Sequence, residues 1–166
     1  MRILTLALVV LALSACDGSP TPPYPVVASG DNWDLGFGRD ARRGGGLCFA
    51  LDDLRGSYLL CTDLVYPDLG SGGVEPLGSE GSLVYGTVST RVATVEVALE
   101  DGSVVATNPI APPETITIER NLFALEVDQP QGSATATLLD ERGRRLATAE
   151  FRWTVAVGGS VRFEAL

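Results

Sequence analysis

The side chains best suited to chemistry in this sequence are its three cysteines, Cys16, Cys48 and Cys61. Cys16 ends a segment in which a positive charge precedes an apolar run and small residues precede the cysteine, the layout of a cleavable secretory signal. The apolar run, residues 3–15, is shorter than the roughly 20 residues that a membrane-spanning helix needs. The sequence therefore predicts export, with residues 1–15 removed as a signal peptide.

Leu13-Ser14-Ala15-Cys16 resembles the lipobox of bacterial lipoproteins, Leu-[Ala/Ser]-[Gly/Ala]-Cys, and matches it at all four positions. The resemblance implies that the Cys16 thiol is acylated and that Cys16 becomes the new N-terminus. Two or more acyl chains, such as palmitate, hold a protein stably on a membrane. The implied location is the extracytoplasmic face of the cell membrane, with the lipid on Cys16 as the anchor. The alternative is an ordinary secretory signal that is cleaved near Ala15.

The segment that follows the signal is rich in proline and small residues. Residues 16–30 contain four prolines, which is typical of a semi-extended tether. Residues 31–166 remain for folding, and this length suits a single domain with one packed core. The sequence therefore predicts a signal peptide, a lipidated tether and one folded domain.

The mature chain is strongly acidic and contains no histidine. Loss of the signal peptide leaves 11 basic side chains against 21 acidic ones, a net charge of −10. A nucleic-acid partner is not expected, because such a protein needs a basic face to displace counterions. The lack of histidine removes the usual general base and zinc ligand, and with them the Ser-His-Asp and Cys-His mechanisms.

From residue 31 onward the chain shows short alternating runs bounded by turn residues and no helical periodicity. This pattern predicts an all-β fold, a single β-sandwich (immunoglobulin-like or related) of about nine to eleven antiparallel strands. The Gly-rich segment 65–82 is interpreted as a long loop, with a hinge between two layers as the alternative. Apart from two hairpins, the predicted strands are 31–38, 83–89, 114–119, 122–128, 134–140 and 146–157.

The first predicted hairpin joins strands 47–52 and 57–62. The positions of its two cysteines provide a check on its register. If Asp52 lies opposite Ser57, then Cys48 lies opposite Cys61, at a spacing that suits a disulfide. Export delivers the chain to an oxidising compartment, so we expect these cysteines to form a structural disulfide worth about 3 kcal/mol. The alternative is a reactive dithiol, although the spacing does not resemble Cys-x-x-Cys.

The second predicted hairpin turns at Asp101-Gly102, a pair that favours a two-residue type I′ turn. This turn would place Leu99 opposite Val104 and Val97 opposite Ala106. The side chains of each pair would then share one face of the sheet.

Most of the mature chain resembles small β-sandwich modules of secreted actinobacterial proteins. The resemblance lies in the strand and turn pattern of YGTVSTRVATVEVALEDGSVV, NLFALEVD and ATLLDERGRRL, preceded by NWDLGFGRDARRGGGLCFALDD. It implies a fold and an actinobacterial-type envelope. It transfers no catalytic residue.

Acidic and aromatic side chains supply the remaining candidate sites. Asp31-Asn32-Trp33-Asp34 has alternating oxygens as in a Ca²⁺ loop, but it lacks the rest of the EF-hand spacing, so we expect solvated acids and no metal or other cofactor. Pairs drawn from Asp52, Asp63 and Glu96 would suit a glycosidase chemically. Trp33 and Tyr66 are expected to be exposed and available to stack on a ligand. The alternating residues of one predicted strand are assigned to a core face: Phe151, Trp153, Val155 and Val157.

Together these features predict a lipid-anchored module of the cell envelope that binds a protein or glycan partner and performs no catalysis. Segments 65–82 and 39–46 are the predicted contact loops. The first alternative is a carboxylate-dependent envelope hydrolase, with or without Ca²⁺. The second is a structural subunit that adds a strand to a larger complex.

Overall fold

Short runs of β-branched and aromatic residues between Gly, Pro and Asp form strands, as the alternating pattern predicted. The computed structural model describes residues 24–40, 45–61, 69–79, 81–155 and 158–163. Within these ranges, no helix is long and apolar enough to cross a membrane. The strands described are β1 (Val26–Ser29), β2 (Trp33–Asp40), β3 (Gly46–Asp53), β4 (Gly56–Leu60), β5 (Gly70–Pro76), β6 (Ser82–Ser89), β7 (Thr94–Leu99), β8 (Val104–Thr107), β9 (Arg120–Val127), β10 (Gly132–Leu139), β11 (Arg145–Trp153) and β12 (Gly159–Phe163).

The strands form three antiparallel sheets of four strands each. The front sheet has the order β1-β2-β3-β4, the middle sheet β12-β5-β6-β9 and the back sheet β11-β10-β7-β8. The predicted all-β sandwich is therefore confirmed. The structure adds a third layer, and its twelve described strands slightly exceed the nine to eleven predicted.

The middle sheet is buried on both faces. In β6, seven of the eight residues are buried, because Leu83 and Tyr85 face the front sheet while Val84 and Val88 face the back sheet. A strand covered on both faces is apolar along its length instead of alternating. The described residues thus form two hydrophobic cores, one on each side of the middle sheet, where the sequence predicted one packed core.

The core between the middle and back sheets contains the aromatic residues predicted for it. Phe151 and Trp153 are 4% and 3% exposed and stack on each other at 5.5 Å. Val155, which was assigned to the same face, is 52% exposed because the strand ends at Trp153. Val157 lies outside the described residues.

The Gly-rich segment 65–82 is not a long loop as predicted, because Gly70–Pro76 forms β5, an interior strand of the middle sheet. Gly72 lies opposite Gly86 of β6. A Cβ atom at Gly86 would lie 2.7 Å from the Gly72 Cα and would overlap the Ser71 carbonyl oxygen. These glycines allow close backbone approach within a strand, and composition alone does not distinguish that role from a turn. Residues 62–68 and 80 lie outside the described part.

The predicted strand 114–119 is also wrong. The Ile116 N–H donates to the Pro113 carbonyl oxygen at 2.8 Å, so the backbone turns here. Ile116 is 6% exposed and packs into the core between the front and middle sheets. The β-branched residues of segment 114–119 suit a strand, but the preceding Pro113 and the packing of Ile116 into the core produce a turn instead.

Two further strands were not predicted. β1, Val26–Ser29, falls within the segment that the sequence assigned to the tether, and β12, Gly159–Phe163, closes one edge of the middle sheet. Of the predicted contact loop 39–46, Arg39 and Asp40 end β2 and Gly46 begins β3, while residues 41–44 are outside the described part.

The first hairpin has the predicted register. Asp52 lies opposite Ser57, and this pairing brings Cys48 and Cys61 together in a disulfide with Cα atoms 4.2 Å apart. The bond closes the end of the hairpin that is far from its turn. The prediction of a structural disulfide is confirmed in its pairing.

The second hairpin is shifted by one residue from the predicted register. Val97 lies opposite Val105, not Ala106. Gly102, with φ of +84°, takes the left-handed position of a three-residue loop, and its N–H donates to the Leu99 carbonyl oxygen at 3.0 Å. The shift turns Val105 towards the core and leaves Val104 60% exposed.

Candidate binding cleft

A cleft of about 420 Å³ opens at one end of the front sheet. Antiparallel pairing sets the start of β2 beside the β3–β4 turn, since Trp33 lies opposite Asp53. Residues 77–79 and 81, between β5 and β6, form the facing wall. The cleft is therefore assembled from three turns that are distant in sequence.

The Trp33 indole forms the floor of the cleft and fixes the front sheet to the middle sheet. Its Nε1–H donates to Glu126 Oε2 of β9 at 2.8 Å. Trp33 is only 8% exposed, so the prediction of an exposed stacking residue is wrong. Packing between the two sheets covers the ring, although Trp33 does line the cleft as a predicted ligand-binding residue would. Tyr66, the other predicted ligand-binding residue, lies outside the described residues.

One wall of the cleft is an ion pair within the β3–β4 turn. Arg55 Nη2 lies 2.6 Å from Asp53 Oδ2, and the Arg55 backbone N–H donates to Asp53 Oδ1 at 2.8 Å. Arg55 Nη2 also donates to the Pro76 carbonyl oxygen of β5. The hydrogen bond to Asp53 raises the pKa of Arg55. The only cation among the described lining residues is therefore already neutralised.

Glu75 and Tyr85 lie behind this wall, on the front-facing side of the middle sheet. Burial raises the pKa of the half-buried Glu75 carboxyl, and the Arg55 charge partly opposes that rise. Burial, and then the charge of Glu75, raises the pKa of the Tyr85 hydroxyl. Tyr85 thus remains protonated at neutral pH.

The rim of the cleft combines an exposed apolar side chain with carboxylates. Leu54, at the tip of the β3–β4 turn, is 84% exposed. Asp31 is exposed beside it, and a shallow depression next to the cleft adds the exposed Asp34 and Asp52. Carboxylates therefore outnumber cations around the opening.

The acids that the sequence suggested as a catalytic pair are not brought together. Asp52 lies on the outer face of the front sheet, where its Oδ1 accepts a hydrogen bond from Ser57 Oγ at 3.2 Å. Glu96 lies in the back sheet, beyond the middle sheet. Asp63 lies outside the described residues. The structure thus gives no pairing between Asp52 and Glu96.

Metal-ligating side chains converge at one other place in the described chain. Asp40, Cys48 and Cys61 have potential ligand atoms within 4.8 Å of one another. The two cysteines form the disulfide, so neither is a thiolate that would hold a metal. Asp31 and Asp34 do not belong to this group.

Sequence reasoning missed Arg55 and Glu126 as contributors to the cleft, whereas the lining residues 77–79 and 81 fall within the predicted contact segment 65–82. The turn Asp53-Leu54-Arg55-Gly56 was recognised as a turn, but its exposed leucine was an unused signal, since a turn tip is normally polar. Nothing in the sequence around Glu126 indicates that its side chain lines a cleft. Its role depends on the packing of β9 beneath Trp33, which the sequence does not reveal.

Tyr24, the first residue that the structure describes, lies at the opposite end of the front sheet from the cleft. Tyr24 packs over Gly38, near the disulfide, and the Phe37 N–H donates to the Pro25 carbonyl oxygen at 3.1 Å. β1 then runs towards the cleft, with Ser29 opposite Asp34.

No protein-family model matches this chain, and no curated protein or solved structure is detectably similar to it.

Proposed function

We propose that this protein is a lipid-anchored binding module at the extracytoplasmic face of the cell membrane, and that its cleft takes a protein or glycan partner without catalysis. The observation that carries the proposal is the arrangement of the front sheet, where Tyr24, which the proposed tether precedes, lies at one end and the cleft opens at the other. A lipid on Cys16 would direct such a cleft away from the membrane.

Two features support the envelope location. The lipobox residues 13–16 provide the anchor, and the Cys48–Cys61 disulfide is the kind of bond that persists in an oxidising compartment. The bond cross-links the far end of the hairpin whose turn carries Leu54 and Arg55.

The state of the cleft side chains supports binding over catalysis. Asp53 is held by Arg55, and Glu126 accepts the Trp33 indole N–H. A general acid or base must be free to exchange a proton with a substrate. Two of the three carboxylates that line the cleft are thus held by structural partners, which suits a rigid recognition surface, while Asp31 is exposed at the rim.

The anchor is tested by growing cells with an alkyne-tagged palmitate analogue. The wild-type protein is expected to incorporate the label and to sediment with membranes. Cys16→Ser is expected to lose the label, while Cys48→Ser provides the cysteine control and is expected to keep it. Label retained by Cys16→Ser would contradict lipidation at this residue.

The partner is tested by photo-crosslinking in intact cells, with benzoylphenylalanine in place of Leu54. The matched control places the same group at Val104, which is 60% exposed on the back sheet. We expect an adduct from position 54 and none from position 104. Equal adducts from both positions, or none from either, would contradict a partner bound at the cleft.

A further inference from the structure

We propose that the occupant of the cleft is a basic segment of a partner protein in which a Lys or Arg neighbours an apolar residue. This inference rests on the proposed binding function and narrows it to one class of partner. It depends on three properties of the cleft: its uncompensated charge, its exposed leucine and its lack of an exposed aromatic face.

The charge of the cleft favours a cation. Asp31, Asp53 and Glu126 line it against Arg55 alone, and the guanidinium of Arg55 is already bound by Asp53 and the Pro76 carbonyl oxygen. The lining therefore carries two uncompensated negative charges. Asp34 and Asp52, in the neighbouring depression, raise this number to four. A Lys or Arg side chain is complementary to such an opening.

The apolar part of the rim favours a side chain beside that cation. Leu54 is 84% exposed, and the half-buried Leu77 lines the cleft on the facing wall. Apolar side chains that flank a concave, polar-rimmed site are typical of protein contacts, and burial of a leucine there contributes favourably to the affinity. The volume of about 420 Å³ admits a few side chains of an extended segment.

The aromatic lining disfavours a glycan. Recognition of a sugar ring commonly uses the open face of an aromatic side chain. Trp33, the one aromatic residue among the described lining residues, is 8% exposed, and its N–H is bonded to Glu126. A peptide needs no such platform, because charge pairing and contact with Leu54 provide its recognition.

The experiment selects peptides from a random heptapeptide display library on the lipoprotein purified from membranes. We expect enrichment of sequences with Lys or Arg next to Leu, Ile, Val or Phe. The binding of the best selected peptide, measured by calorimetry, is expected to weaken as salt is added, because exposed charge pairs are screened.

Two variants locate the binding site. Leu54→Ser is expected to lower the affinity for the selected peptide on the order of tenfold, because the variant no longer buries a leucine side chain on binding. Asp31→Asn combined with Glu126→Gln is expected to weaken it about fivefold, and the amide oxygen introduced by Glu126→Gln keeps an acceptor for the Trp33 indole. The controls, Val104→Ser and Glu141→Gln, change exposed residues away from the cleft and are expected to have no effect.

The outcomes separate this inference from the proposed function. Enriched peptides without basic residues, no enriched peptide, or peptides unaffected by the cleft variants would each overturn the basic-segment proposal. A crosslinked partner at position 54 would leave the binding function standing in those cases. Binding of N-acetylglucosamine oligosaccharides instead, lost in Leu54→Ser, would assign the cleft to a glycan. Failure of peptides, oligosaccharides and crosslinking together would overturn both.

Discussion

At the scale of single residues, the contact region between the front and middle sheets is polar around the cleft and apolar behind it. Trp33 donates to Glu126, and Arg55 reaches from the β3–β4 turn to the Pro76 carbonyl oxygen of β5. Glu75 is half buried beside this connection. These few polar contacts position the two sheets relative to each other. Single substitutions can measure what each contact contributes to the free energy of unfolding.

Glu75 is expected to cost stability at neutral pH. Its pKa in the folded protein is raised, chiefly by burial, so the folded state binds the proton more tightly than the unfolded state does. Stability from this group is then lost as pH rises above the ordinary glutamate pKa of 4.5. Glu75→Gln is expected to raise the thermal midpoint at pH 7 and to lose that advantage near pH 4.5. An advantage that grows on acidification would contradict this assignment; Glu141→Gln, at an exposed turn, is the control.

Trp33→Phe is expected to lower the free energy of unfolding by about 1.5 kcal/mol, because it removes the hydrogen bond that the buried indole N–H donates to the exposed carboxylate of Glu126. The measurement is urea unfolding at pH 7. Trp153→Phe is the matched control, since the Trp153 Nε1–H donates to the neutral Gln129 carbonyl oxygen at the longer distance of 3.4 Å. A larger loss in Trp153→Phe would contradict the role assigned to the Trp33–Glu126 bond.

At the scale of elements, the two hairpins show how register is decided. The β3–β4 pairing is confirmed by the disulfide, and the β7–β8 pairing is displaced by one residue because Gly102 adopts a positive φ after a tight turn. The same three-residue loop joins β10 to β11, where the Gly143 N–H donates to the Asp140 carbonyl oxygen at 2.9 Å. A local turn preference thus determines which side chains of a whole strand face the core.

The disulfide is expected to stabilise the β3–β4 hairpin by constraining the unfolded chain. The double variant Cys48→Ser/Cys61→Ser is expected to lose about 3 kcal/mol of unfolding free energy, as for a closed loop of this length. Denaturant unfolding with and without a phosphine reductant measures the loss, and the reductant is expected not to affect the double variant. Two freely titrating thiols in the exported wild-type protein would contradict the bond.

At the scale of the whole molecule, the middle sheet holds the protein together. It packs against the front sheet on one face and the back sheet on the other, so a defect in β5 or β6 affects both cores. Tyr24 and the cleft lie at opposite ends of the front sheet, and that sheet packs on the middle sheet. The position of the cleft is therefore a property of the complete three-layer stack.

Gly86→Ala is expected to prevent stable folding, since the added methyl group would meet the backbone of β5 at Ser71 and Gly72. Interior backbone cannot move aside as a flexible side chain does. Gly132→Ala is the control, because its nearest contact is the end of the Gln129 side chain, at 3.0 Å. Circular dichroism and thermal unfolding make the comparison. A Gly86→Ala protein as stable as Gly132→Ala would contradict the close approach of β5 and β6.

Sequence by itself determined the strand class of most segments and the partner of Cys48. Both properties depend on residues that are close in sequence. Period-two alternation indicates a strand with one buried face, and a short turn places Cys61 opposite Cys48. The lipobox at residues 13–16 is a local motif of the same kind, and its anchor remains a prediction.

Only the tertiary structure decided three features: residues 70–76 form an interior strand, Ile116 is buried in a core although it lies in a turn, and the Trp33 side chain is buried. Each of these depends on a surface supplied by a distant part of the chain: β6 beside the glycines, the front core around Ile116, and Glu126 beneath the indole. Local propensity is a weak term, and burial against distant partners outweighs it. The cleft has the same origin, because it exists only where three separate turns meet.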